Sequence, residues 1–554
     1  MIYPALQKAR IIEEFSFSPK KIIVSGYESE FAQSILKEKN GQSCKAESLY
    51  IDIIKDKSRR TEYIEETRRL TDEKFIISAE KDADSVHVTI TVSGKKSLYR
   101  AMNRISMMLE SETFFVGDAE DYPLFAERGY IEGFYGKPWC FENRKMMLGF
   151  LSFFGMNTHY YAPKDDPYHR DKWDELYPEK ELSQLSELVK IAEENFVDFY
   201  FCLAPGLSMK YSSEEDFLKL ICKVKQLYSI GIRNFGLLVD DIPENLYFDE
   251  DKEAFDGEAV NAHIYICNKL YEFLRSEDSA CRLTVCPLQY HGNGDEYYIT
   301  KLGRGLSGGI KLFWTGSNIC SQKLTVREAV IFENSTNRKP LYWDNFPVND
   351  AEMQNEMHIG YISGREADLY RYSEGIISNV MEYCLSSRIP LLTVCDYLWN
   401  PTKYDGYESW FKACSIVLGK DAEKVAPFLD NLLTSCLKVE NSPMLNVCLN
   451  DAQQMYFAGD TEAAIETASA YLMKLKECCQ HFETADNPMY KELEPWFEKQ
   501  KIAMDLFEKS AGILFNNTDD AKNEVRAVLR KYLDHPRTLC DFSLQAFAER
   551  MLTL

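Results

Sequence analysis

Hydrophobic and polar positions along this chain change rhythm twice. In the first stretch, IIVSGY (22–27) and VHVTITVSG (86–94) alternate with the period of two of half-buried strands, and KSLYRAMNRISMMLES (96–111) repeats apolar residues at helical spacing. Residues 1–121 therefore read as a small α+β module. Between 122 and 400 short apolar runs alternate with amphipathic stretches. Strands are predicted at RGYIEGFYG (128–136), THYYAP (158–163), VDFYFCLAP (197–205), NFGLLVDD (234–241), RLTVCPLQY (282–290), IKLFWTG (310–316), KPLYWDNFP (339–347) and EGIISNVM (374–381). Most are separated by helical segments such as EEDFLKLICKVKQLYSIG, and eight strands in βα alternation predict a closed (β/α)8 TIM barrel. The competitor is an open doubly wound sheet, but no GxGxxG turn follows any of these strands, and GRGLSGG (303–309) precedes one instead. From 401 to 554 the strand signals stop. DAEKVAPFLDNLLTSCL, TEAAIETASAYLMKLKECCQHF and AKNEVRAVLRKYL carry helix-period apolar faces, which predicts a C-terminal helical bundle.

Composition narrows the partners more than the fold. The 554 residues leave room for several domains, and 45% hydrophobic with 27% charged residues is a globular composition. A formal charge of -23 opposes a nucleic-acid partner, because phosphate binding needs clustered Lys and Arg, and it favours an uncharged ligand. No apolar run is long enough to span a bilayer, and MIYPALQKARIIEEF lacks the pattern of a secretion signal, so no membrane partner and a cytoplasmic location are expected. Sixteen cysteines without a CxxC pair or zinc-type spacing read as reduced, mostly buried thiols, and the eight histidines offer no HExxH. No metal or cofactor is expected. The sequence carries no signal for oligomeric state.

Catalytic chemistry in such a barrel gathers at the carboxyl ends of the strands. There the chain supplies Gly133, Phe134 and Tyr135; Lys164, Asp165 and Asp166; Asp240 and Asp241; Tyr290; Trp314 and Thr315; Trp343, Asp344, Asn345 and Asp350; and Asn379. Carboxylates, amides and aromatic plates together suit a pyranose, whose hydroxyls need polar partners and whose C–H faces stack on rings. Each residue also has a plainer reading. A rim Trp or Tyr packs the core, Lys164 pairs with Asp165 or Asp166 on the surface, and Asn379 caps a turn. Asp240 and Asp241, directly after the apolar run GLLV, are either a functional pair or, with Pro243, the start of a helix. Neighbouring strand residues point apart. Two such carboxylates suit neighbouring groups of one substrate better than the opposed pair, about 5–5.5 Å apart, of an ordinary retaining glycosidase. Catalysis assisted by the substrate's own C2 substituent follows.

RGYIEGFYGKPW, GMNTHYYAPKDDPYHRDKW, FGLLVDDI, CPLQY, YWDNFPVND and SNVMEYCLSS, in this order and spacing, resemble glycoside hydrolase family 84, the β-N-acetylglucosaminidases and O-GlcNAcases, some of them described as hyaluronidases. The resemblance covers about 125–400; the flanking modules are similar to those of the family with weaker support. It implies a retaining exo-β-N-acetylglucosaminidase acting on a β-N-acetylglucosaminide glycan or glycopeptide. Asp241 is implied as general acid/base and Asp240 as the residue that orients and polarises the acetamido group. Gly133, Lys164, Asn345, Asp350 and Asn379 would hold the sugar, Tyr290 would stand near the acetamido and anomeric centre, Tyr135 and Trp343 would wall the pocket, and Cys286 and Thr315 would border the N-acetyl methyl. The sequence departs from the family's pattern at Val239, where Phe is common, and at LAPGLS after strand three. Three rivals stand beside this reading: a hyaluronidase-type endo-hexosaminidase, disfavoured by the acidic surface, a sugar-binding protein without turnover, and a hydrolase using Asp344 or Asp350 as a carboxylate nucleophile.

Overall fold

The computed structural model describes residues 2–36, 47–56, 62–64, 69–540 and 542–554. Its N-terminal part contains β1 (Lys8–Ser16), β2 (Lys21–Gly26), β3 (Ser48–Lys55), β4 (Glu62–Ile64), β5 (Arg69–Thr71), β6 (Phe75–Lys81), β7 (Ser85–Val92) and β8 (Thr113–Asp121). Six of them form a mixed sheet in the order β1-β8-β6-β7-β3-β2, while β4 and β5 pair separately. The alternation in β3 buries Leu49, Ile51 and Ile53 and turns Tyr50 and Ile54 outward. The helix Lys95–Glu110 lies across the buried face, and Leu98, Met102, Ile105 and Met108 fill the space between.

The barrel consists of β9 (Glu127–Ile131), β10 (Thr158–Tyr161), β11 (Asp198–Leu203), β12 (Asn234–Leu238), β13 (Arg282–Cys286), β14 (Lys311–Trp314), β15 (Leu341–Asp344) and β16 (Gly375–Asn379). Each strand pairs in parallel with the next, and β16 closes on β9. Below the mouth, Ile131, Tyr160, Tyr200, Leu238, Phe313 and Ile377 plug the interior. The Tyr160 and Tyr200 rings stack at 4.2 Å, and the Tyr160 hydroxyl meets Thr284 Oγ1 at 3.0 Å. The strands are shorter than their apolar patterns. β12 ends at Leu238 and β13 at Cys286, which leaves Asp240, Asp241 and Tyr290 in the loops that follow rather than on strand ends.

After the buried helix Cys384–Trp399 come helices at Gly406–Leu418, Ala422–Leu429, Pro443–Phe457, Thr461–Thr484, Pro488–Gly512, Asp519–Asp534 and Ser543–Thr553. They also brace the barrel mouth. Trp496 Nε1 donates to the Asn355 carbonyl at 3.0 Å, the Thr538 amide to the same carbonyl at 2.7 Å, and Arg537 to the Gln354 carbonyl at 2.5 Å, which pins the loop that carries Asp350. Among the described residues no helix is long and apolar enough to cross a membrane, and all fifteen described cysteines are free thiols.

Candidate active site

A cavity of about 450 Å³ opens at the carboxyl end of the barrel, and the twelve positions to which the family resemblance assigns a role line it: Gly133, Tyr135, Lys164, Asp240, Asp241, Cys286, Tyr290, Thr315, Trp343, Asn345, Asp350 and Asn379; Phe134, Asp165, Asp166, Trp314 and Asp344, also marked at the strand ends, do not. That size suits a single small ligand. Asp240 and Asp241 do not start a helix: the next one, Asp249–Ala254, lies beyond them. Nor does strand alternation divide them. Asp241 sits past the strand in the left-handed region, at φ 51°, and this turn brings both carboxylates to the same cavity.

Lys164 joins the pair. Its Nζ lies 3.4 Å from Asp240 Oδ2 and 3.7 Å from Asp241 Oδ2, so its partners are these two and not Asp165 or Asp166. Asp166 instead accepts from the Tyr161 and Tyr177 hydroxyls at 2.8 and 2.6 Å. Burial alone would lower the Lys164 pKa, but the negative field of Asp240, with Tyr135 and Asp241, outweighs it and holds the ammonium above its ordinary value. The environments of the two acids differ. The Asp240 side chain is 7% exposed, whereas that of Asp241 is 33% exposed and receives two hydroxyls, Tyr135 on Oδ2 at 2.8 Å and Tyr290 on Oδ1 at 3.2 Å. Burial, followed by the nearby Asp241 charge, pushes the Tyr290 phenol well above its usual range, so it stays protonated and can donate.

An amide chain forms the opposite side. The Gly133 N–H donates to Asn379 Oδ1 at 3.1 Å, Asn379 Nδ2 donates to Asn345 Oδ1 at 3.0 Å, and Trp343 Nε1 donates to the same oxygen at 3.0 Å. Asn379 is therefore a pocket residue and not a turn cap. Asp350 accepts the Tyr135 backbone N–H at 2.7 Å. Burial lifts its carboxyl above the ordinary carboxylate value against the pull of that N–H and of Lys164. Asp344 turns away from the cavity into a buried pair with Arg365, at 2.8 and 2.5 Å, so it cannot serve as a nucleophile there. Trp314 likewise faces outward, against Phe332. Ile319, Cys320, Val348, Ala351, Glu352 and Met353 complete the lining without having been foreseen. Ile319, Cys320 and Val348 stand in loops and Ala351–Met353 form a single 3-10 turn, where no periodic pattern marks a residue.

A family model described as beta-N-acetylglucosaminidase matches residues 128–430. The proteins named Protein O-GlcNAcase from Rattus norvegicus and Mus musculus are each 34% identical over 319 residues, 56% of this chain and 33% of theirs. The chain thus spans about a third of the length of these curated relatives. Among solved structures, a mutant of the Thermobaculum terrenum O-GlcNAc hydrolase is 30% identical with a TM-score of 0.72, over 77% of this chain and 95% of that one. CpGH84B, at 24% identity, is alike in fold over the whole of both chains with a TM-score of 0.83.

Proposed function

The chain belongs to the β-N-acetylglucosaminidases of glycoside hydrolase family 84, and from that premise we propose that it hydrolyses terminal β-linked N-acetylglucosamine with retention, O-linked N-acetylglucosamine on protein included. One observation carries the reading: two consecutive carboxylates share Lys164 on one side of a cavity of single-sugar size. In the first step protonated Asp241 gives its proton to the leaving oxygen. The acetamido carbonyl oxygen meanwhile bonds to the anomeric carbon as the glycosidic bond breaks, and an oxazoline forms in its N-protonated, oxazolinium state. Asp240, ionised beside Lys164, accepts the acetamido N–H and stabilises the positive charge that develops there, an interaction stronger in the transition state than before it. In the second step Asp241 takes a proton from water, whose oxygen opens the oxazoline at the anomeric carbon; two inversions give retention. General acid/base assistance of this kind supplies about 10² to 10⁴ in rate.

Asp241→Asn tests the assignment. Turnover of alkyl N-acetylglucosaminides is expected to collapse while activated aryl glycosides lose far less; equal losses would remove Asp241 as the acid. Fluorination of the substrate acetyl group should slow turnover steeply, and a flat response would exclude the amide as nucleophile. The reaction as written calls on no metal, so dialysis against EDTA should leave activity intact. We also infer work in the cytoplasm, a reading that the free thiols of the fifteen described cysteines support and that cell fractionation tests.

A further inference from the structure

One residue of the KDDPYHRDKW run has no part in the chemistry so far. Arg170 stands at the cavity's rim, in a turn held on both sides: buried His169 meets the Cys202 carbonyl through Nδ1 at 2.7 Å, and Trp173 Nε1 donates to Ser208 Oγ at 2.9 Å. Its guanidinium takes hold of Asp241 twice. Nη2 lies 3.4 Å from the Asp241 backbone carbonyl, and Nη1 donates to the Tyr135 hydroxyl at 3.1 Å, the hydroxyl that reaches Asp241 Oδ2 at 2.8 Å.

The chemistry of these groups leaves one arrangement. A guanidinium only donates, so the Tyr135 oxygen must accept from it, and the single phenolic hydrogen is committed to Asp241 Oδ2. Packing does not supply that orientation, because Tyr135 is 46% exposed. Tyr290 reaches Oδ1 in the same way at 3.2 Å, but among the described residues no donor pins its hydroxyl, so that hydroxyl can turn and accept; with Oδ2 held as acceptor, the transferable proton falls to Oδ1. The backbone contact acts on the same residue, since a non-glycine in the left-handed region is held at a cost that surrounding contacts must offset.

We propose that Arg170 is a positioning residue for the proton donor: it fixes the Asp241 backbone directly and, through Tyr135, decides which carboxylate oxygen carries the proton. The proposal rests on the reading of Asp241 as general acid/base.

The test compares Arg170→Ala with Asp241→Asn and the parent on an alkyl and a 2,4-dinitrophenyl N-acetylglucosaminide. Arg170→Ala should lose roughly ten- to a hundredfold in kcat/KM on the alkyl substrate, the scale of one charge-assisted hydrogen bond, and much less on the aryl one. Guanidinium chloride at low concentration should restore part of the alkyl activity. Combined with Tyr135→Phe, the alkyl loss should fall short of the product of the two single losses. Equal losses on both substrates, or no restoration in a protein of unchanged Tm, would overturn the proposal. If Asp241→Asn discriminates between the substrates and Arg170→Ala does not, Arg170 alone loses its role; if neither discriminates, the reading of Asp241 falls first and the proposal with it. Should Arg170→Ala fold poorly, Arg170→Lys, which reaches one acceptor in place of two, should show intermediate discrimination, and its absence overturns the proposal equally.

Discussion

Gly133 shows how little room the pocket leaves at the scale of one atom. A β-carbon there would come within 2.5 Å of Trp343 Cζ2 and 3.1 Å of Asn379 Oδ1. Trp343 cannot yield freely, since its ring is buried, packs edge-on against Phe313 at 5.3 Å, and is tied through Nε1 to Asn345. Gly133→Ala should therefore push the indole into the cavity and part the Gly133 N–H from Asn379. Because the displaced groups line the sugar's position, kcat/KM is expected to fall by about 10² or more, with a Tm within a few degrees of the parent. Steady-state kinetics beside calorimetry check this, and unchanged kinetics would mean that the wall is softer than its contacts indicate.

Elements differ in how plainly they announced themselves. The eight barrel strands were legible because burial on both faces writes continuous apolar runs, and the polar residues that interrupt them mark the mouth. Many cavity positions were legible at or just past strand ends, as Asn379 is at the end of β16, whereas Cys286 entered only through the family resemblance and Asp240, Asp241 and Tyr290 stand in loops beyond their strands. Loop geometry was not: nothing in GLLVDDIP announces the left-handed turn at Asp241, and Arg170 reads as one more charge in a polar loop. The N-terminal edge was equally quiet. KARIIEEFS in β1 is exposed along nearly its whole length, and so lacks the alternation that betrays a half-buried strand. Further along, Asp430 lies in the short turn after the helix Ala422–Leu429 and accepts from the Tyr407 hydroxyl at 3.0 Å and the Met444 amide at 2.9 Å. Burial dominates these bonds and raises its carboxyl to about 6. A folded value above the unfolded one means that this group's stabilisation is complete below the unfolded value and is lost as pH rises through about 6. The helical region should accordingly lose on the order of 2–3 kcal/mol of stability from this residue between pH 4 and 8. Asp430→Asn should flatten that slope in urea unfolding followed across pH, and an unaltered slope would assign it to other groups.

Across the whole molecule, the N-terminal sheet is locked to the barrel end opposite the cavity. Glu73 accepts from Arg100 Nε at 2.9 Å and from Arg128 Nη2 at 2.7 Å, all three side chains at most 5% exposed, and Arg128 belongs to β9. Arg100 reaches onward to the Ser152 and Met156 carbonyls at 2.5 and 3.1 Å. Burial alone would raise the Glu73 carboxyl, but Arg128, Lys96 and Arg100 outweigh it and hold the group well below the carboxylate range. A depressed folded value contributes stability above the unfolded pKa and surrenders it as pH falls through the folded one. Glu73→Gln would leave two buried guanidinium groups without their counter-charge, a loss of about 3–5 kcal/mol at neutral pH. The deficit should shrink in acid, where the parent carboxyl also takes up a proton. Glu73 binds the amino end of β9 and the cavity is built from Gly133 beyond its carboxyl end, so kcat/KM at 25 °C should match the parent while unfolding shifts to lower urea. A parallel fall in kcat/KM would mean that strain at the base of the first strand reaches the mouth, and that the two ends of the barrel are not mechanically separate.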